Sequence, residues 1–153
     1  MKVSAKADYA VRAIVELAAS SEGDAPTKAE RLAQAQDIPL KFLENIMADL
    51  RQAGLVRSQR GADGGYWLAK PAAEITVADV IRASDGPLAW VRGVRPEDLE
   101  YAGPARALQD VWIAARASLR DVLEAVTLAD VAGGRLPASV RALTAEPSAW
   151  EPH

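Results

Sequence analysis

Apolar residues recur three and four apart through most of this chain, and the breaks in that rhythm divide it into elements. Ala10, Ala13, Ile14 and Leu17 line one face of a first helix expected over residues 4–19. A polar loop containing Gly and Pro, Ser20 to Pro26, ends it. Thr27-Lys28-Ala29-Glu30 reads as a capping box, the Thr oxygen accepting from the Glu30 N–H while the Glu side chain reaches back. Behind it Ala29, Leu32 and Ala33 face inward on a short second helix ending near Gln36. Asp37-Ile38 predicts a tight turn. Pro39 suits the first position of a third helix, because its missing N–H would lack a partner there anyway. Leu43, Ile46, Met47 and Leu50 form the buried stripe of that helix and Gly54 its stop, while Lys41, Asn45, Asp49 and Gln52 lie off the stripe.

The pattern then changes. Leu55–Arg60 and Tyr66–Lys70 read as short strands around Gly61-Ala62-Asp63-Gly64-Gly65, where glycine permits the positive φ of a hairpin turn. Thr76 caps a fourth helix in Thr-Val-Ala-Asp, with Val77, Val80 and Ile81 inward and Asp85-Gly86-Pro87 closing it. Residues 88–103 are irregular and carry Trp90, Arg92, Arg95 and Tyr101. The longest periodic stretch runs from about Pro104 to Thr127, with Leu108, Val111, Trp112, Ala115, Leu119, Val122, Leu123 and Val126 on one stripe. Such a helix either packs against its own core or pairs with a second copy across a two-fold axis, and its length favours the homodimer. After Gly133-Gly134 the tail, with Pro137, Pro147 and Pro152, is expected to be weakly structured. The chain thus divides into residues 1–87, a linker segment and long helix over 88–131, and a tail over 132–153.

Composition narrows the chemistry. At 153 residues and half apolar, the chain can bury one core with a small appendage. No apolar run approaches the roughly 20 residues that span a bilayer, and the N-terminus has no signal-type stretch, so a cytoplasmic place is expected. There is no cysteine, and the single histidine, His153, is the last residue. A disulfide framework, a thiolate nucleophile, a cysteine-held metal and a Ser-His-Asp triad all fall away. The remaining carboxylates, lysines and tyrosines show no catalytic spacing, so an enzyme is not expected. Gly61 to Gly65 reads as a hairpin tip rather than a nucleotide loop. Residues 1–70 carry a net charge of +1 and residues 71–153 one of −4. Within the first part, Arg51, Arg57 and Arg60 form a local basic strip.

Helix, short helix, tight turn, helix, hairpin: this order is that of a winged helix-turn-helix, a mainly α fold with a small β-hairpin wing. A helix about 10–12 Å across fits the major groove of B-DNA, and polar side chains near its start reach base edges. A basic hairpin then touches phosphates or enters the minor groove.

More specific are Leu43-Glu44, Ala53-Gly54-Leu55-Val56, Arg60-Gly61, Gly64-Gly65-Tyr66, Leu68-Ala69-Lys70-Pro71 and Glu74-Ile75-Thr76-Val77-Ala78-Asp79-Val80-Ile81. On these motifs the chain, over about residues 1–131, resembles the Rrf2 family of bacterial transcription regulators, which includes iron–sulfur, nitric-oxide and cysteine-metabolism regulators. The resemblance implies DNA contacts from the start of the third helix and the wing arginine, here Pro39, Lys41, Phe42, Asn45 and Arg60. Thr27, Arg51 and Arg57 complete the expected double-stranded-DNA contact set. Where relatives often carry small hydroxyl residues and Tyr, this chain has Pro39, Lys41 and Phe42. Lys41 remains suited to a phosphate or guanine and Asn45 to adenine or a phosphate. Phe42 reads equally as a core residue.

Cluster-binding relatives carry three cysteines before the long helix, at about residues 88–106 here, and this chain has none. Asp8, at the place of an acidic ligand in some redox-sensing relatives, reads as a helix-start surface acid. No iron–sulfur cofactor is therefore expected. Trp67, Trp90 and Trp112 read either as core or, with Arg92, Arg95 and Tyr101, as an effector pocket between wing, irregular segment and long helix, taking a carboxylate or phosphate of a small metabolite. A third reading is a sensor function that is simply lost. The expected protein is a homodimeric DNA-binding regulator, read as a repressor. The alternative is a winged-helix interaction module that has lost DNA binding.

Overall fold

The computed structural model describes residues 2–20 and 25–152. The Ser20–Pro26 loop, at 21–24, and His153 lie outside the described residues. Helix α1 (Ala5–Ser20) starts at Ser4, whose hydroxyl oxygen accepts the Ala7 N–H at 2.9 Å. Helices α2 (Ala29–Gln36) and α3 (Leu40–Gln52) follow. Strands β1 (Val56–Gln59) and β2 (Gly65–Leu68) pair antiparallel, with Val56 opposite Leu68 and Gln59 opposite Gly65. Then come α4 (Val77–Asp85), α5 (Leu108–Ala125), α6 (Leu128–Ala132) and α7 (Ala138–Ala145), with short 3-10 turns between.

The apolar stripes meet as their spacing requires. Ile14 and Leu17 of α1, Leu32 of α2, Leu43, Ile46, Met47 and Leu50 of α3, and Val80 of α4 are buried together. Leu55 and Val56 close this core from the hairpin side. Fully burying each such side chain contributes about 1.5–3 kcal/mol, which holds α3 rigidly against α1 and frees its opposite face for other work.

Several expectations need correction. The capping box at Thr27 does not form: Lys28 is the N-cap of α2, and no side chain caps that helix. Thr27 instead exchanges backbone bonds with Tyr66 of β2, at 2.9 and 2.8 Å, and its side chain is buried. Pro39 sits one position earlier than expected, as N-cap of α3, its carbonyl accepting the Leu43 N–H. The long helix is shorter than its periodic stretch. Pro104 belongs to a 3-10 turn over Gly103–Ala105, and beyond Ala125 the backbone turns extended.

That extension changes the division of the chain. Val77 N–H donates to the Val126 carbonyl and Leu128 N–H to that of Ile75, each at 2.9 Å, and Leu128 enters the core beside α1. Residues 126–132 thus belong to the winged body and not to a separate helical unit. Val126, placed on the pairing stripe by its spacing, is likewise buried. The tail is not weakly structured: α7 forms within it, and Trp150 Nε1–H donates to the Thr144 carbonyl at 2.7 Å. Its prolines lie at the ends of α7 and of the following turn, where they start or flank helices instead of breaking them.

Candidate nucleic-acid interface

Helix α3 is aimed by what surrounds it. Asp37, at φ 51° and ψ 52°, reverses the chain between α2 and α3, and Ile38 N–H closes the turn on the Ala33 carbonyl at 2.9 Å. A short polar side chain tolerates this left-handed conformation better than most. Buried Ile38 plugs the angle between the helices. From α1, Arg12 donates to the Gln36 carbonyl at the end of α2, where a cation suits the helix dipole. Gln36 Nε2–H in turn donates to Glu16 at 2.7 Å. Lys6 of α1 pairs with Asp49 of α3 at 2.7 Å.

So held, the start of α3 presents Pro39, Lys41, Phe42 and Asn45 to solvent together. Phe42 is 59% exposed, which overturns its reading as a core residue. The wing stands beside this face. Arg60, at its tip, is exposed and lines a shallow groove with Lys28, Glu30 and Glu44. Lys28 is a cation that sequence reasoning missed, because the expected capping box assigned the cap to its neighbour. The two glutamates in the groove limit where a phosphate can rest.

The other expected contacts are placed differently. Thr27, expected among the DNA contacts, is buried in the seam between α2 and the wing. Arg51 lies in the last turn of α3, about 15 Å along the axis from Lys41 at 1.5 Å per residue. It donates to the Ser58 hydroxyl at 3.2 Å and braces the wing. Arg57 stacks over Trp67, its cross-strand partner, at 5.9 Å. Both arginines remain exposed and add positive field along the strip.

The expected effector residues are only partly brought together. Trp90, Arg92 and Trp112 border one cleft, and Trp90 and Arg95 another. Tyr101 accepts the Trp112 indole N–H at 3.0 Å and lies under Arg92 at 5.8 Å. Trp67 is not part of this region: it is on the wing. None of the three tryptophans is fully buried. Asp8 is exposed and paired with Arg12 at 3.2 Å.

A winged helix-turn-helix with a polar face exposed at the start of its third helix and an arginine at the wing tip is the build of a DNA-binding regulator. Comparison with known proteins agrees. The Rrf2 family model, described as an iron-dependent transcriptional regulator, matches residues 3–134. A Mycobacterium tuberculosis protein named as an HTH-type transcriptional regulator, Rv1287, is 55% identical over 151 residues, covering 99% of this chain and 93% of that one. The solved structure of CymR, the global cysteine regulator of Bacillus subtilis, is 36% identical, with a TM-score of 0.73 over 88% of this chain and 98% of that one. IscR of T. potens is 33% identical, with a TM-score of 0.67 over 100% of this chain and 93% of that one. The chain belongs to the Rrf2 family. It is a DNA-binding transcriptional regulator and not an enzyme. Among the described residues no helix is long and apolar enough to cross a membrane.

The family's description raises iron, and the donors of this chain do not fit an iron–sulfur cluster. The sequence has no cysteine, its only histidine is at position 153, and no three of the described acidic or histidine side chains converge as a metal site would need.

Proposed function

We propose that this regulator binds a palindromic operator as a homodimer and represses transcription there. The single observation carrying the DNA-binding geometry is the joint exposure of Lys41, Phe42 and Asn45 at the start of α3, with Arg60 on the adjoining wing. Asn45 would read a base edge, Lys41 a phosphate or guanine, and Arg60 the backbone or minor groove. Two such helices would enter successive major grooves about 34 Å apart.

Support for the dimer comes from α5. None of its residues is buried, and Leu108, Val111 and Ile113 are exposed on it. In place of a cluster, a small molecule would control operator affinity by changing the spacing or tilt of the winged bodies. The test is fluorescence anisotropy on duplexes tiled from the protein's own promoter, at two salt concentrations. One tile should bind more tightly than scrambled duplex, with a salt slope of about −0.9 per phosphate contacted. Asn45→Ala should weaken that tile by about tenfold and leave scrambled binding nearly unchanged. Equal affinity for every tile would overturn the operator reading.

A further inference from the structure

Four arginines from three parts of the chain converge where the winged body meets the long helix. Arg82 comes from α4, Arg95 from the irregular segment, and Arg116 and Arg120 from α5; with Trp90 and Glu97 they line a cleft of about 210 Å³. Cations gathered this closely repel one another and need compensation. Glu124 accepts from Arg82 and, at 3.2 Å, from Arg120. Asp79 lies 3.6 Å from Arg82, and Glu97 pairs with Arg116. Four guanidiniums against three carboxylates leave one positive charge, and Arg95 makes no contact ion pair among the described residues, attracting Glu97 only through space.

The carboxylates also orient. Hydrogen bonds from Arg82 and then Arg120 hold the Glu124 carboxyl below the usual glutamate range. Its own backbone N–H, and after it Arg116, do the same for Glu97. Arg82 and Arg116 are therefore fixed in position before any ligand arrives, which lowers the entropy lost on binding. Trp90 supplies an apolar wall, 45% exposed. The backbone beside it is strained: Ala89 and Arg92 have φ of 57° and 54°. Arg92 is explained, since with Gly93 it forms the central pair of a primed turn closed by Val91 and Val94 at 3.0 Å. No such turn bond spans Ala89, and unexplained strain in a non-glycine residue gathers at binding sites.

We propose that this cleft binds a small dianion, a phosphate monoester or a dicarboxylate. Arg95 and Arg116 meet its oxyanion groups, and its carbon body lies on the Trp90 indole. Its volume is below the roughly 300 Å³ at which drug-sized sites begin, which selects a small metabolite over a nucleotide. The proposal rests on small-molecule control of the regulator and names the ligand class. Because Arg95 belongs to the irregular segment that follows α4 of the winged body and Arg116 to α5, an anion held between them links the two and biases their relative tilt.

Titration of the full chain with inorganic phosphate, glycerol 3-phosphate and succinate at constant ionic strength, by calorimetry and tryptophan fluorescence, tests it. At least one should bind with Kd below about 1 mM. Arg95→Gln should raise that Kd by about tenfold or more and shift the thermal melt little, because Arg95 acts on Glu97 only through space while Glu97 keeps its pair with Arg116. Trp90→Phe should remove the fluorescence change while binding heat persists. A phosphate-only or a succinate-only response supports the site and says which anion it takes. No heat from any of the three at about 10 mM, or binding that survives Arg95→Gln, overturns it. A probe that needs Arg95 yet leaves operator affinity untouched supports the site and ends the control reading. One that alters operator affinity equally in Arg95→Gln keeps the control reading and overturns this site.

Discussion

A Cβ on Gly64 would stand 2.2 Å from the Gln59 carbonyl oxygen, and one on Gly65 would stand 2.6 Å from that of Thr27. Both obstacles are backbone, and Gln59 and Thr27 are themselves held in the hairpin and in its seam with α2, so neither can step aside. The wing tip therefore requires glycine for closeness of approach as well as for turn geometry. Gly64→Ala should lower stability by about 1–3 kcal/mol and displace Arg60, weakening duplex binding more than the melt alone would imply. Thermal denaturation paired with anisotropy measures both; unchanged values in each would refute the argument. The glycine cluster was legible as a hairpin tip from spacing alone. The contact with Thr27 was not, because it joins residues almost forty positions apart.

Helix starts tell the same story one level up. Thr-x-x-acid occurs at Thr27, Thr76 and Thr127, and only the last two close into capping boxes. Asp79 N–H donates to the Thr76 hydroxyl at 3.1 Å, and Asp130 N–H to that of Thr127 at 3.1 Å. Thr27 fails because Tyr66 has taken its backbone groups. At Thr127, Thr→Ala should cost about 1 kcal/mol near neutral pH, measurable by urea denaturation. The Thr127 backbone N–H and then its hydroxyl hold Asp130 below the usual aspartate value of 3.8. A carboxyl lowered in this way stabilises the fold above that value and loses its contribution as pH falls through the folded one. The gap between wild type and Thr127→Ala should accordingly narrow below about pH 3.8, and a gap that widens in acid would contradict the cap.

At the scale of the whole molecule, α5 is the long helix that its own chain leaves without a buried residue. Within one chain it touches α4 and the turn over Pro96–Asp98, through Arg82–Glu124, Arg116–Glu97 and Gln109, whose Nε2–H donates to the Glu97 carbonyl at 3.1 Å. Those contacts occupy one side and leave Val111 half exposed, at 52%. If a second copy covers the exposed face that carries Val111, Val111→Asp should leave the chain folded but convert it to a monomer in sedimentation. Operator affinity should fall by about tenfold or more, since both half-sites no longer bind together. A variant that still sediments as a dimer would place the pairing surface elsewhere.

The sequence by itself determined the winged helix-turn-helix. Its helices carry three-and-four apolar spacing, its hairpin carries glycines, and each of these signals acts over a few neighbouring residues. It also determined which face of α3 is polar, since an inward stripe of four apolar residues leaves the rest outside. Tertiary structure alone decided that Thr27 pairs with the wing, that Leu128 returns to the core of a body built some fifty residues earlier, and that Phe42 stays in solvent. It alone gathered Arg82, Arg95, Arg116 and Arg120 around one cleft. These outcomes depend on contacts between distant segments, where competition for backbone partners, buried area and opposite charge is settled only once the chain has folded.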